Sequence, residues 1–202
     1  MMPTHREIET KFFVRDLEAI RARLIGSGAQ EIDPRCKEYN VRYDTDDLAL
    51  RRSGKMLRLR QGSDARLTFK GDVIETVGVV NREELEVVIS DFDTAKIILE
   101  SLGYKANFVY EKFRAIYELD GTHIMLDETP IGSFVEIEGA DAESIERMAE
   151  ILRLNWSASL AKSYSALFYE VKEKLGLTFN DMTFENFAVG QNRNLPCFPA
   201  AD

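Results

Sequence analysis

Acidic and basic residues recur in this chain at a spacing of two. Glu7 and Glu9 are followed by Lys11, Glu84 by Glu86 and Glu136 by Glu138, while Arg58 precedes Arg60 and Lys112 precedes Arg114. On an extended strand that spacing puts both side chains on one face, about 7 Å apart. Two carboxylates so placed repel, and holding them close is costly unless a cation lies beside or between them. Mg²⁺ and Mn²⁺ prefer oxygen ligands and commonly share one or two carboxylates with substrate phosphates and water. Arginine forks suit phosphate oxygens, and lysines add point charges. The chemistry within reach is metal-assisted handling of a polyphosphate. Cross-strand salt bridging on an exposed face explains the same alternation, and periodicity alone leaves both readings open.

The elements that must carry these residues are short strands with one charged and one apolar face. Glu7-Ile8-Glu9-Thr10-Lys11-Phe12, Leu57-Arg58-Leu59-Arg60, Leu67-Thr68-Phe69-Lys70 and Arg82-Glu83-Glu84-Leu85-Glu86-Val87 alternate in this way. So do Lys112-Phe113-Arg114-Ala115, Ile124-Met125-Leu126-Asp127 and Phe134-Val135-Glu136-Ile137-Glu138, with residues 39–44 as a weaker eighth. Turns at Ser53-Gly54, Gly62-Ser63, Asp120-Gly121 and Pro130-Ile131-Gly132 predict mostly antiparallel pairing. Four helices interrupt the strands. Asp16 caps one bearing Leu17, Ile20 and Leu24. Ser90 or Asp93 caps a second with Ile97, Ile98 and Leu102 turned inward. Asp141 starts a third with Ile145, Met148 and Leu152 facing the core. Ser157 or Ser159 caps a fourth that runs from Leu160 through Tyr164, Leu167, Phe168 and Val171 to Leu175 and stops at Gly176. The fold class is α+β, with helices over the apolar face of the sheet. The charged face then either meets bulk water or lines a closed barrel.

Taken in phase, Lys11, Arg58, Arg60, Lys70, Arg82, Lys112 and Arg114 stand against Glu7, Glu9, Glu84, Glu86, Asp127, Glu136 and Glu138, seven against seven. The whole chain of 202 residues carries a formal charge of −9, so this face is richer in cations than the average surface. That overall charge argues against a nucleic-acid or anionic-membrane binder; any anion is held locally. Two cysteines, Cys36 and Cys197, give neither a disulfide framework nor a zinc ribbon, and a reducing cytoplasm is the expected compartment. No signal peptide or membrane span is expected, since no stretch approaches 18 apolar residues.

With the Glu7-Ile8-Glu9-Thr10-Lys11 pattern on its first strand, the chain resembles the CYTH, or triphosphate tunnel metalloenzyme, family. The likeness extends to Leu57-Arg58-Leu59-Arg60, Leu67-Thr68-Phe69-Lys70, Arg82-Glu83-Glu84-Leu85-Glu86 and Glu111-Lys112-Phe113-Arg114. It continues through residues 126–138 to Lys162-Ser163-Tyr164-Ser165-Ala166-Leu167, and covers about residues 5–177. The resemblance implies an eight-stranded antiparallel closed β-barrel, open at both ends, with a charged tunnel inside and helices outside. It places a domain at 1–177; residues 178–202 lie beyond it and, with Phe179, Phe184, Phe187 and Phe198 among Asn, Pro and Asp, read as a tail that docks through its aromatics. It implies that Lys11, Arg58, Arg60, Lys70, Lys112 and Arg114 grip phosphate, with Arg82 lining the tunnel and Lys162 near its mouth. Glu7, Glu9, Glu136 and Glu138 would hold Mg²⁺ or Mn²⁺ with Asp127 close by, and with Lys11 would form the catalytic set.

Tripolyphosphate, ATP or thiamine triphosphate is the implied partner, and a homodimer is allowed. Hydrolysis of tripolyphosphate or a triphosphate ester is the favoured outcome, because water needs no base-specific pocket. The alternatives are a class IV adenylate cyclase, in which a ribose 3′-hydroxyl attacks the α-phosphate, and a polyphosphate or nucleotide sensor without turnover. His5 and His123 are too isolated to form a catalytic pair, although His5 precedes the signature strand and could touch substrate at the rim. Tyr39, Tyr43 and Asp44 read as packing and turn residues, Trp156 as a core plug and Cys36 as a partly buried thiol.

Overall fold

The computed structural model describes residues 6–76, 78–188 and 198–202. Eight antiparallel strands form a ring: β1 (Arg6–Val14), β2 (Gln30–Asp44), β3 (Met56–Gln61), β4 (Ala65–Thr76), β5 (Val79–Ile89), β6 (Lys105–Leu119), β7 (Thr122–Thr129) and β8 (Gly132–Glu138). Their order is β5-β4-β3-β2-β6-β7-β8-β1, and β1 pairs back onto β5 to close the circle. The closing pairing ends at Glu9 opposite Val80. Beyond it a two-residue strand, β9 (Ser159–Leu160), takes over beside Lys11 and Phe12, so the backbone of β1 keeps a partner on both sides.

Side chains alternate across each strand, and closure decides where each face goes. The outward apolar face of β1, β7 and β8 packs under α1 (Leu17–Gly26) and α4 (Ala142–Ile151), burying Phe12, Leu126, Val135 and Ile137 against Ile20, Leu24, Ile145 and Met148. Asp16 caps α1 by accepting the Ala19 N–H at 2.9 Å, and Asp141 caps α4 in a reciprocal arrangement with Ser144. The sharp β7–β8 turn needs Gly132: its φ is +130°, and a Cβ there would lie 2.7 Å from the Phe13 ring.

Two helices depart from expectation. α3 (Phe92–Ser101) is capped by Asp91, and it turns Phe92, Ala95 and Leu99 toward Val41, Tyr43 and Leu59. Ile97, Ile98 and Leu102, expected inside, are 62%, 53% and 70% exposed. Residues 92, 95 and 99 share a stripe at i, i+3 and i+7, which a three-turn helix can bury only at the expense of the competing apolar positions. The last long helix, α5 (Tyr164–Leu175), begins after Ser163, because Leu160 is committed to β9.

α5 covers one end of the ring. There the inward positions turn aromatic: Phe13, Phe108 and Phe134 join Tyr164, Leu167 and Phe168 in a second core. Leu177, Met182 and Phe198 pack into the same cluster, and Met182 bridges Tyr110 of β6. A short helix α2 (Ala49–Arg52) follows β2, its Leu50 and Arg51 N–H groups bonded to Asp44, and α6 (Phe184–Ala188) lies in the tail. The barrel interior is therefore polar along most of its length, with an aromatic cluster where β1, β6 and β8 meet α5. Among the described residues no helix is long and apolar enough to cross a membrane.

Candidate functional site

The interior encloses a cavity of about 610 Å³. Ten basic and seven acidic side chains line it, a surplus of three positive charges within a chain of net charge −9. β1 contributes Glu7, Glu9 and Lys11; β3 contributes Arg58 and Arg60; Lys70, Arg82, Glu84 and Glu86 come from β4 and β5. β6 supplies Lys112 and Arg114, and β8 supplies Glu136 and Glu138. Ring order sets who faces whom. β3 lies four places from β8 in a ring of eight, so the Arg58 and Arg60 stave stands across the lumen from the Glu136 and Glu138 stave.

Inside, the charges form a network. Lys11 Nζ lies 2.5 Å from Glu9 and 3.0 Å from Glu136. Lys70 joins Glu7 to Glu84, the latter at 2.9 Å. Arg60 meets Glu38 at 2.8 Å, and Arg58 meets Glu86 at 3.4 Å. The salt bridging expected of an exposed sheet face is thus present, but it is turned inward, where screening by water and salt is weaker.

Two expected site residues lie elsewhere. Asp127 is fully buried, and its oxygens are occupied by Arg114 at 2.5 and 2.6 Å, Lys112 at 3.1 Å and the Tyr164 hydroxyl at 2.5 Å. It is in phase with the site but sits behind Arg114, orienting the bases and not facing the cavity as a metal ligand. Lys162 is outside the lining: its ammonium pairs with Glu170 of α5 at 2.6 Å, because α5 starts two residues after it and brings Glu170 alongside. His5 lies outside the described residues.

Other lining residues had a weaker signal in the sequence. Arg42 of β2 reaches the cavity, as do Tyr110, Arg66, His123, Ser163 and Ser165. Glu38 is buried just behind Arg60 and Lys112. Glu38, Asn40 and Arg42 are in phase at a spacing of two, which is the signal that could have found them. Pro34 and the register shifts in β2 obscure that alternation over the strand as a whole.

Ionisation divides the carboxylates. Burial alone would raise Glu136, but Arg114, Lys11 and Lys112 outweigh it and hold that carboxyl well below the usual range. Glu38 is lowered in the same way by Lys112, Arg114 and Arg60. Glu9 is raised, by burial first and then by Glu136, and Glu7 is raised chiefly by burial. Glu138 is pushed up to about 7 by burial and by Glu7, Glu136 and Glu9. It has no salt-bridge partner among the described residues.

This donor set fits a hard divalent cation. Glu7, Glu9 and Glu138 line the same cavity, Glu9 paired with Lys11, Glu7 with Lys70, and Glu138 with no ion-pair partner among the described residues. No three acidic, histidine or cysteine side chains converge into a ready-made cage among the described residues. Such a set suits an ion that keeps water and completes its shell with phosphate oxygens. Three buried donors of β2 and β3 also find no protein acceptor: Arg58 Nε, Arg60 Nε and the Asn40 amide.

Comparison with known proteins agrees with this geometry. The family model for the CYTH domain matches residues 5–164. A Methanocaldococcus jannaschii protein named as a candidate adenylate cyclase is 28% identical over 172 residues, spanning 80% of this chain and 97% of its own. The adenylate cyclase CyaB of Aeromonas hydrophila is 29% identical over 135 residues, 65% of this chain and 67% of that one. Among solved structures, a Hippeastrum protein described as a candidate adenylyl cyclase with a dominant triphosphatase activity superposes with a TM-score of 0.61. It is 18% identical, over 82% of this chain and 96% of that one, a likeness of fold.

Proposed function

The chain belongs to the CYTH domain family, and from that membership we propose that it is a divalent-metal-dependent triphosphatase acting on inorganic tripolyphosphate or a triphosphate ester. The observation that carries this reading is the opposition of walls across the lumen. Arg58 and Arg60 of β3 face Glu136 and Glu138 of β8; the arginines offer donors to phosphate oxygens, while Glu136 and Glu138, with Glu7 and Glu9, offer oxygens to a cation. A bound Mg²⁺ or Mn²⁺ would neutralise phosphate charge and lower the pKa of an attacking water.

The protein's own groups do the rest. Arginine forks orient the chain of phosphates and offset the charge that develops as the terminal P–O bond breaks. Asp127 and Tyr164 fix Arg114 and Lys112 in place beforehand, so little reorganisation is needed. Glu138, which shares no proton-masking lysine, accepts a proton from water as it adds to the terminal phosphorus. The bridging oxygen departs with the shortened chain, and the products are orthophosphate and a diphosphate or diphosphate ester.

The relatives' names support a second reading, an adenylate cyclase, in which a ribose 3′-hydroxyl attacks the α-phosphorus of ATP and pyrophosphate leaves. Incubating the protein with tripolyphosphate, and separately with ATP, under Mg²⁺ and Mn²⁺ decides between them, with Glu136→Ala as control. Metal-dependent orthophosphate release without cyclic AMP is the expected result. Cyclic AMP with pyrophosphate establishes the cyclase, and tight binding with neither product overturns both in favour of a binding module.

A further inference from the structure

Outside the ring, the apolar faces of β1, β7 and β8 are buried under α1 and α4, but that of β5 is left bare. Leu67 of β4 stands opposite Val87 of β5, and Phe69 opposite Leu85. All four turn away from the lumen, since Arg66, Lys70, Glu84 and Glu86, which alternate with them, line the cavity. α3 covers β2 and β3, and its cluster reaches only as far as Leu67 and Ile89. Beyond that limit Leu85 is 49% and Val87 55% exposed.

α3 is itself covered on one side alone. Phe92, Ala95 and Leu99 face the sheet, while Ile98 and Leu102, one turn apart on a flank of that stripe, are exposed. Lys96 and Glu100 fall on the opposite flank, and Ile97 is at the rim. β3 and β4 are neighbours in the ring, so a helix with a bare apolar flank stands beside a sheet face with no helix over it. A sheet and a helix each need a second layer on the apolar side, and here each has what the other lacks.

The extent of this surface points to a second copy of the chain. Ile98, Leu102, Leu85 and Val87 leave roughly 400 Å² of apolar area in contact with water, in the range that marks an interaction site. With the half-buried Leu67 and Phe69 they approach the apolar share, about 65%, of the roughly 800 Å² that a stable homodimer buries on each partner. A two-fold axis along the step between helix and sheet lays each α3 on the other copy's β4–β5 face and covers both at once. The centre of the patch carries no charge, so two acidic chains meet there without opposing like charges. An anionic lipid surface fits less well, because Glu83, Asp91 and Asp93 flank the patch.

We propose that this face is an isologous interface between two copies of the chain, in which Ile98 and Leu102 of each α3 pack on Leu85 and Val87 of the other copy's β5. It uses no residue of the lumen and holds whatever reaction the lumen performs.

Sedimentation velocity of the full chain from about 1 to 100 μM, a range that brackets micromolar affinity, tests it. The parent is expected to run at twice the chain mass at the upper concentrations. Ile98→Glu and Val87→Lys should each weaken association at least about tenfold, because each buries an unpaired charge against the other copy. Mixed in equal amounts, the two variants should associate again, since the introduced acid of one meets the introduced base of the other. Circular dichroism checks that each variant folds; if a charged one does not, Leu102→Ser and Val87→Thr carry the test, with losses of about threefold or more. A parent that stays monomeric, variants that stay dimeric, or a loss that mixing does not restore each overturn the interface. A monomer that cosediments with phosphatidylcholine vesicles overturns it in favour of a lipid surface.

Discussion

At the scale of single residues, Glu138 has the most telling environment. Its carboxyl titrates near 7 in the folded protein against an ordinary 4.5, so between those values the folded state binds a proton that the unfolded chain has lost. Stability therefore falls as pH rises through that window, and the cost is complete above about 7. Glu138→Gln should unfold at higher denaturant than the parent protein above pH 7.5, by about 1–2 kcal/mol, and lose that advantage below pH 4.5. That is less than the full shift implies, since the side chain is partly exposed to water. Saturating Mg²⁺ should flatten the parent's pH dependence, because a cation relieves the same repulsion. Glu9→Gln tests the other side of the cluster. Lys11 keeps Glu136 as a partner, so the melting temperature should stay within a few degrees while metal-dependent turnover drops at least about a hundredfold.

At the scale of elements, the strands were far more legible than the helices. Period-two alternation in β1, β3 and β8 has one physical cause, a wet charged lumen behind a dry outer face, and nothing nearby competes with it. α3 offers two apolar stripes, and only the sheet beneath it decides between them. Leu99→Ala should thus cost about 2–4 kcal/mol in urea unfolding, whereas Ile97→Lys should stay within about 0.5 kcal/mol. The start of α5 was hidden for a related reason. Leu160 fits a helical pattern, but the backbone of β1 needs a neighbour where β5 leaves it, and that need is invisible until the ring is closed. For the site, spacing brought Glu7, Arg60 and Glu136 to the lumen. It could not show that Asp127 lies behind Arg114, since phase fixes a face and not a depth.

At the scale of the whole molecule, distant segments are tied at β1. The Asp202 carboxylate accepts the backbone N–H groups of Arg15 and Asp16 at 2.8–3.0 Å, and the Ala201 N–H donates to the Phe13 carbonyl at 2.9 Å. Asp202→Ala should lower stability by about 1–2 kcal/mol, measured by equilibrium denaturation, by leaving two donors at the β1–α1 junction to water alone.

The closure of β1 between β5 and β8 also bears on biosynthesis. Of the described strands, the one translated first waits long for both of its neighbours: its partner Val80 follows roughly seventy residues later, and Glu136 more than a hundred. Until both have left the ribosome, a segment carrying Phe12 and Phe13 has two unsatisfied edges, the condition under which chains associate with one another. The nascent protein is on that account most exposed to edge-to-edge association before β8 emerges, and its charged lumen cannot close until then.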